Sequence, residues 1–348
     1  MRIGMLVNDL ASERAGFTTT RLALTASGRG HEAWVMGAGD LAYDPDESIR
    51  ARARAAPKAQ YKSGEAYLAD LRGKAARVER IVLDDLDVLM LRSNPTEEPP
   101  ERAWARTAGI DFGRVAMRRG VIVLNDPNAL ASAQNKTYLQ LFPEEVRART
   151  LVSIDREEIK QFIQQLGARA VLKPLWGSMG ARVFVVSPED RANTNQMIEA
   201  LVRDGYVMAQ EYLEQDSEGD TRLFLMNGRP LEFRGRRAAF RRFRASEDTH
   251  SFLHRDQTLV RADLTPQQLR VADIARPKLV QDGMFFVALD FVGDLLIDVN
   301  VFSPGGLGSA QKLEKANFCV PVIEALERKV AYMGYYRRNF DNVEMATL

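Results

Sequence analysis

The chain opens on a continuous apolar run, Arg2-Ile3-Gly4-Met5-Leu6-Val7-Asn8, the pattern of a strand buried on both faces. A helix is expected near Thr18 to Ser27, stopped by Gly28 and Gly30. His31 to Gly37 and Asp87 to Arg92 read as further strands. A helix falls between Pro100 and Arg119, and Gly120 to Leu124 is again a strand. Strands alternating with helices predict a parallel sheet covered on both faces. Residues 45 to 80 are charged and alanine-rich, with Arg50, Arg52 and Arg54 clustered. They read as a surface insertion or a solvated helix without chemistry.

The pattern changes near Pro127. A helix carrying Lys136 is expected to run through Leu141. Asp155 and Glu158 form a capping-box pair ahead of the helix Ile159 to Leu166, which Gly167 ends. Ala170 to Lys173 and Ala181 to Val186 are strands joined by a glycine-containing turn. A third region opens at Tyr206. Asn227-Gly228 and Gly293-Asp294 each join two strand-like runs and predict hairpins. Pro266 sits just inside a helix opening at Thr265. The expected architecture is mixed α/β (α+β), in three units: residues 1–126, 127–205 and 206–348.

Composition narrows the function. The 348 residues are 45% hydrophobic and 27% charged, ordinary for a globular protein, and suit two or three subdomains. A net charge of +1 gives no global field toward nucleic acid or membrane. No stretch reaches the ~18 apolar residues of a membrane span, and the N-terminus shows no signal-peptide pattern. The single cysteine, Cys319, lies in an apolar run, reads as a buried small hydrophobe and fits a cytoplasmic setting. The three histidines, His31, His250 and His254, are too scattered for a zinc site. Ser303 has no histidine or carboxylate in a triad-like context.

The sharpest constellation is Asp290, Asp298 and Asn300. Asp298 and Asn300 share a strand face, and folding about Gly293-Asp294 places Asp290 roughly opposite Ile297 and Asp298. Three oxygen-bearing side chains then converge, and a magnesium ion would relieve the repulsion between two of them. Acidic strand ends facing water are the alternative, but both strands are otherwise apolar. In Val171-Leu172-Lys173-Pro174-Leu175-Trp176-Gly177-Ser178-Met179-Gly180, a strand delivers a lysine to a Gly-Ser-x-Gly turn. Glycines let backbone N–H groups approach phosphate oxygens, and the lysine adds a point charge. The bland reading is a surface lysine. Val207-Met208-Ala209-Gln210-Glu211-Tyr212-Leu213 is an apolar strand with a polar pair, which reads as either a base-reading edge or an ordinary half-exposed strand.

In order along the chain, these parts resemble the ATP-grasp superfamily and, within it, the bacterial glutathione synthetases. The segments carrying the resemblance are Lys136, Lys173 with its turn, Gln210-Glu211-Tyr212-Leu213, Asp220-x-Arg222 and Asp290…Asp298-x-Asn300, together with Met90–Pro95, Ile122–Pro127 and Asn300–Pro304. The resemblance implies an ATP-grasp fold behind an N-terminal parallel-sheet domain. It also implies an ATP- and magnesium-dependent carboxylate–amine ligase, with manganese as the alternative ion. Lys136, Lys173, Gly177, Ser178 and Gly180 would meet phosphates, Gln210, Glu211 and Leu213 the adenine, and Asp220 the ribose. Arg222 and Arg237 would act on the substrate carboxylate and acyl phosphate, with Asp290, Asp298 and Asn300 on the metal. Arg92, Ser303, Gly305 and Gly306 would shape the substrate pocket. A small-molecule or peptide carboxylate, an amino-acid amine and a homo-oligomer are implied as partners, with no nucleic acid and no membrane.

Three departures bear on the substrate. Asp298 stands where the family usually has Glu. Gly177–Gly180, Arg236-Arg237-Ala238 and Leu253-His254-Arg255 look like the ribosomal-protein glutamate ligase branch. The segment after Arg237, glycine-rich in glutathione synthetases, is arginine- and phenylalanine-rich here, with six arginines between Arg234 and Arg244. Residues 237–256 are therefore expected to form an arginine-bearing lid. Glutathione formation from γ-glutamylcysteine and glycine, amino-acid addition to another peptide or protein, and a non-catalytic nucleotide-binding regulator are the three functions in play.

Overall fold

Three sheets follow one another along the chain. The computed structural model describes residues 1–176, 182–189, 191–213, 219–244, 257–336 and 340–348. The N-terminal unit contains β1 (Arg2–Val7), α1 (Thr18–Gly28), β2 (Glu32–Gly37), β3 (Leu41–Tyr43), β4 (Ile49–Ala55), α2 (Gly64–Arg72), β5 (Arg77–Val82), β6 (Val88–Leu91), α3 (Ala108–Arg118) and β7 (Ile122–Leu124). β2, β1, β6 and β7 are parallel neighbours, as their continuous apolar runs require. Ile3, Met5 and Leu6 of β1 are wholly buried.

Contrary to expectation, residues 45 to 80 contribute strands to the N-terminal sheet and are not an inserted surface segment. β4 and β5 pair antiparallel over six positions and extend the sheet beyond β2. In β4, Ile-Arg-Ala-Arg-Ala-Arg-Ala, the alanines face inward and the arginines outward. This is a period-two strand written in weak strand formers. Arg72, at the end of α2, donates to the carbonyls of Leu10 (2.7 Å) and Ala11 (2.9 Å), so the segment also anchors the loop after β1.

The middle unit follows α4 (Pro127–Ser132) and a 3-10 turn over Lys136–Leu141. Its elements are β8 (Thr150–Ser153), α5 (Arg156–Leu166), β9 (Ala170–Pro174), β10 (Phe184–Val186), α6 (Arg191–Val202) and β11 (Val207–Glu211). The sheet order is β10-β9-β11-β8. β11, placed by the sequence pattern at the opening of the third region, thus pairs inside the middle sheet. Asp155 caps α5, accepting from the Glu157 (2.8 Å) and Glu158 (3.0 Å) amides. The return half of the capping box is relayed: the Asp155 amide donates to Ser153 Oγ (3.0 Å), which donates to Glu158. Gly167 ends the helix at φ 64°.

The last unit contains β12 (Asp220–Met226), β13 (Arg229–Pro230), β14 (Glu232–Phe233), β15 (Arg236–Arg237), β16 (Ala239–Arg244), β17 (Gln257–Val260), α7 (Pro266–Gln281), β18 (Phe286–Val292), β19 (Leu295–Asn300), α8 (Leu307–Glu314), α9 (Cys319–Tyr336) and α10 (Asn342–Thr347). Its main sheet runs β17-β16-β12-β18-β19, with β13 folded back on β12 through Asn227 (φ 53°) and Gly228 (φ 71°). Thr265 and Gln268 cap α7 reciprocally, at 3.0 and 3.1 Å.

The N-terminal and last units share two continuous apolar cores, whereas the middle unit has its own, around Ile159, Ile163, Leu172, Ile198 and Ala209. Among the described residues no helix is long and apolar enough to cross a membrane.

Candidate active site

Register builds the site. In the last sheet Arg242 on β16 lies opposite Asp220 on β12. Arg222 on β12 lies opposite Asp290 on β18, and Asp290 lies opposite Asp298 on β19. Side chains directly opposite share a face, as do residues two apart. One end of one sheet face therefore carries Arg242, Asp220, Arg222, Asp290, Asp298 and Asn300 in a band across four strands. The β18–β19 register shifts between Asp290 and Phe291, where Phe291 pairs with Leu296. Ile297 is the extra residue of this bulge, and the bulge brings Asp298 squarely against Asp290.

Two carboxylates placed face to face repel, and the arginines compensate. Arg222 grips Asp290 with a fork, Nε to Oδ1 at 2.7 Å and Nη2 to Oδ2 at 2.6 Å. Arg242 reaches Asp290 Oδ2 at 3.2 Å and pairs with Asp220 through Nε at 2.7 Å. Asn300 Nδ2 donates to Asp290 Oδ2 at 3.1 Å. Asp290 is 4% exposed. Burial pushes its carboxyl up, but the charges and hydrogen bonds of Arg222 and Arg242 outweigh burial and hold it at about 2. Asp220 is raised, by burial first and by the charge of Asp290 after the opposing pull of Arg242.

The middle sheet supplies a second polar group. Lys173 lies opposite Met208, and Gln210 lies opposite Val171, so Lys173 and Gln210 are diagonal neighbours on one face. Lys173 Nζ donates to Gln210 Oε1 at 2.8 Å, and Gln210 Nε2 donates to Thr150 Oγ1 at 3.2 Å. The Lys136 amide donates to the Leu175 carbonyl at 3.4 Å, which brings the Lys136 backbone to the end of β9. The 3-10 turn that Lys136 opens packs on β19, the strand of Asp298 and Asn300. Tyr138 and Leu139 of that turn join the apolar core with Leu289, Phe291 and Val299, on the side of β18 and β19 opposite the carboxylates. Glu211 accepts from the Arg149 amide at 3.4 Å, and the Arg169 guanidinium lies 4.1 Å from the Tyr212 ring centroid, next to Leu213.

The N-terminal unit closes the third side. Arg92, just beyond β6, is 4% exposed and donates to Thr19 Oγ1 (3.2 Å) and the Pro304 carbonyl (3.3 Å). Burial lowers its ionisation to about 10. It lies within the Coulomb field of Glu13, while no carboxylate among the described residues is within ion-pair distance of it. Arg92 therefore fastens the Phe302–Gly306 segment, and Arg222 Nη1 holds the Gly305 carbonyl at 3.0 Å. Gly306 has φ 93°, and a Cβ there would sit 2.7 Å from the Phe240 ring, so close approach requires glycine. Ser303 lies on the same segment.

Two expectations change. Arg237 does not join the band: it sits exposed on the separate β14–β15 ribbon, ion-paired with Glu232 at 2.6 Å. Arg242 takes the place beside Asp290. It was visible in the sequence only as one of six arginines. The signal that could have found it is the inward Phe240 of Ala-Phe-Arg-Arg-Phe-Arg, two residues before it, facing the same way. The lid expectation for residues 237–256 fails over Ala239–Arg244, which is a strand paired on both sides, with β12 and β17. Residues 245–256, with His250 and His254, lie outside the described residues, as do Gly177, Ser178 and Gly180.

With this geometry in view, the relatives become informative. Residues 135–315 match the profile of the prokaryotic glutathione synthetase ATP-grasp domain, and residues 1–131 match that family's N-terminal domain. The chain belongs to the prokaryotic glutathione synthetase family. It is 31% identical to the glutathione synthetase of Synechococcus elongatus over 95% of this chain and 99% of that relative. It is 28% identical to that of Synechocystis over 94% and 100%. Among solved structures it superposes on the D-cycloserine synthetase DcsG with a TM-score of 0.61 at 16% identity, covering 93% of this chain and 99% of that one. D-alanyl-alanine synthetase A from Vibrio cholerae gives 0.59 at 13% identity, covering 95% and 98%. These likenesses establish the ATP-grasp fold. The protein is an ATP-dependent ligase that forms carbon–nitrogen bonds, of the glutathione synthetase kind.

Proposed function

We propose that this ligase joins γ-glutamylcysteine to glycine, using ATP bound between the middle sheet and the carboxylate band. The observation that carries the reading is the Arg222–Asp290–Asp298 band in the last sheet, and the Lys173–Gln210 pair of the middle sheet and the Lys136 turn against β19 support it. Lys136 and Lys173 would face the phosphates, Gln210, Glu211 and Leu213 the adenine, and Asp220 the ribose.

The donor set suits a hard divalent cation. Asp290 stays ionised while buried, Asp298 opposes it, and all the donors are oxygens. Among the described residues no three His, Cys, Asp or Glu side chains converge. The third protein donor would be the Asn300 amide oxygen, whose nitrogen partner is the one turned to Asp290. Magnesium, or manganese in its place, would supply charge neutralisation at the phosphates.

In the reaction the substrate carboxylate attacks the γ-phosphorus of ATP, giving an acyl phosphate and ADP. The amine then attacks the acyl carbon, phosphate leaves with the C–O bond electrons, and the amine loses a proton. Arg222 and Arg242 would hold the carboxylate and the acyl phosphate through bidentate forks. Arg92 and the Ser303–Gly306 backbone would frame the amine pocket. Catalysis is then positioning and charge stabilisation, with no protein nucleophile.

A second reading keeps the chemistry and changes the substrate. Arg242 on β16, a second guanidinium beside Arg222 in the band, favours a more acidic peptide than γ-glutamylcysteine. ADP release with γ-glutamylcysteine and glycine, against a panel of other acidic dipeptides and amino acids, decides between them. Turnover with γ-glutamylcysteine and glycine at least about tenfold above every other pair, which corresponds to ~1.4 kcal/mol, supports the first reading. Preference for another pair sinks it.

A further inference from the structure

One oxygen of Asp290 is crowded by this chain's own cationic and amide donors. Oδ1 accepts from Arg222 Nε. Oδ2 accepts from Arg222 Nη2 and Asn300 Nδ2 and is paired with Arg242 Nη2. Each carboxylate oxygen offers about two lone-pair sites, so in this arrangement Oδ2 has none left for a cation and Asp290 can engage one through both oxygens only if a guanidinium moves away. Yet it is the most buried donor of the set, 4% exposed. Both arginines are themselves partly enclosed, with side chains 12% and 18% exposed. Neither can leave Asp290 for bulk water without reorganising the site.

We infer that Arg222 and Arg242 are exchangeable counter-charges. They neutralise Asp290 before ligands arrive, and the metal–nucleotide complex displaces them into the position where they grip the anionic peptide substrate. The inference rests on the metal reading given above and adds a coupling to it. Charge arithmetic supports it. The band holds three carboxylates, Asp220, Asp290 and Asp298, against two guanidiniums. A divalent cation on Asp290 and Asp298 turns that deficit into an excess of positive charge, which phosphate and substrate carboxylate oxygens can satisfy. The Gly305 carbonyl bonded to Arg222 Nη1 extends the exchange to the amine pocket. Arg242 is thereby a positioning residue for both substrates. It sets the order of binding as well as the final geometry.

The consequence runs against intuition: removing an arginine should tighten cation binding. In R242Q, Asp290 keeps its fork from Arg222, so folding is expected to persist and is checked by thermal melting. Binding of manganese with a non-hydrolysable ATP analogue is counted by electron paramagnetic resonance of free Mn2+. R242Q should bind it more tightly than wild type, and R242K like wild type. Calorimetry on wild type should show γ-glutamylcysteine binding roughly 5- to 150-fold more tightly with the metal–nucleotide present, the usual span of coupling between sites. In R242Q that coupling should shrink by at least about half on a logarithmic scale. Wild-type protein that binds no metal–nucleotide overturns the metal reading itself. Wild type that binds it, while folded R242Q binds no tighter and peptide affinity ignores the nucleotide, overturns only the exchange.

Discussion

Asp290 and Lys173 represent two ways in which a charged side chain can be held ready in a buried site. Asp290 is ionised because two guanidiniums outweigh burial. Lys173 Nζ donates to the neutral Gln210 amide oxygen at 2.8 Å. That acceptor is neutral, so this bond steers the ammonium without opposing its charge. Lys173→Met should therefore weaken ATP analogue binding by about tenfold or more, since a hydrogen bond to a charged group contributes ~1.5–3 kcal/mol. γ-Glutamylcysteine binding without nucleotide should stay within about twofold, because its carboxylate would be held by arginines on another sheet. Calorimetry that finds nucleotide affinity unchanged returns Lys173 to the role of a strand-end lysine.

Elements were legible where their chemistry is written in local pattern. β1, β2, β6, α1, α5 and both hairpins announce themselves by apolar runs, caps and Asn-Gly or Gly-Asp turns. The Asp290, Asp298 and Asn300 set was legible to within one residue, since the two-residue turn brings Asp290 opposite Ile297 or Asp298 and the bulge at Ile297 selects Asp298. β4 and β16 were not. Both are built of Arg with Ala or Phe, residues whose strand character comes from neighbours that sequence alone does not reveal. Arg242 stood undistinguished among six arginines, and Arg237 was named through the family resemblance, whereas the structure carries it on a ribbon turned at Arg234 and Gly235. The dependence of β16 on its neighbour can be tested at Gly219. It has φ 86°, and a Cβ there would lie 1.8 Å from the Arg242 carbonyl oxygen. Gly235 has a similar φ of 72° with nothing within 4 Å of a built Cβ. Both alanine variants incur the left-handed backbone cost of ~1–2 kcal/mol. Only Gly219→Ala should add a steric term, which we expect to exceed ~1 kcal/mol and to loosen Arg242 from Asp220. Urea denaturation of the two variants measures the difference, and equal losses would show that β16 does not depend on that contact.

At the scale of the molecule, two of the three units are fused and one has a core of its own. The N-terminal and last sheets share their apolar cores, and side-chain amides complete the seam. Asn342 pairs with both the amide (2.9 Å) and the carbonyl (2.8 Å) of Val123, continuing the edge of β7 as a strand would. Asn125 does the same for Phe286 on β18, accepting from its amide at 2.9 Å and donating to its carbonyl at 3.1 Å, and it also donates to the Val301 carbonyl. Asn125 is 5% exposed, so water cannot replace these bonds without opening the seam. Asn125→Ala should cost about 2–4 kcal/mol of stability, because each buried polar group left without a partner costs ~1–3 kcal/mol and such costs are only partly additive. The functional effect should be lopsided. Val301 leads straight into the Phe302–Gly306 segment that Arg92 and Arg222 hold, whereas Lys173 and Gln210 belong to a sheet with a separate core. Glycine KM should rise, and the affinity for an ATP analogue should stay near wild type. If instead both fall together, the amine pocket and the nucleotide site do not rest on separate parts of the fold, and the seam supports the whole site at once.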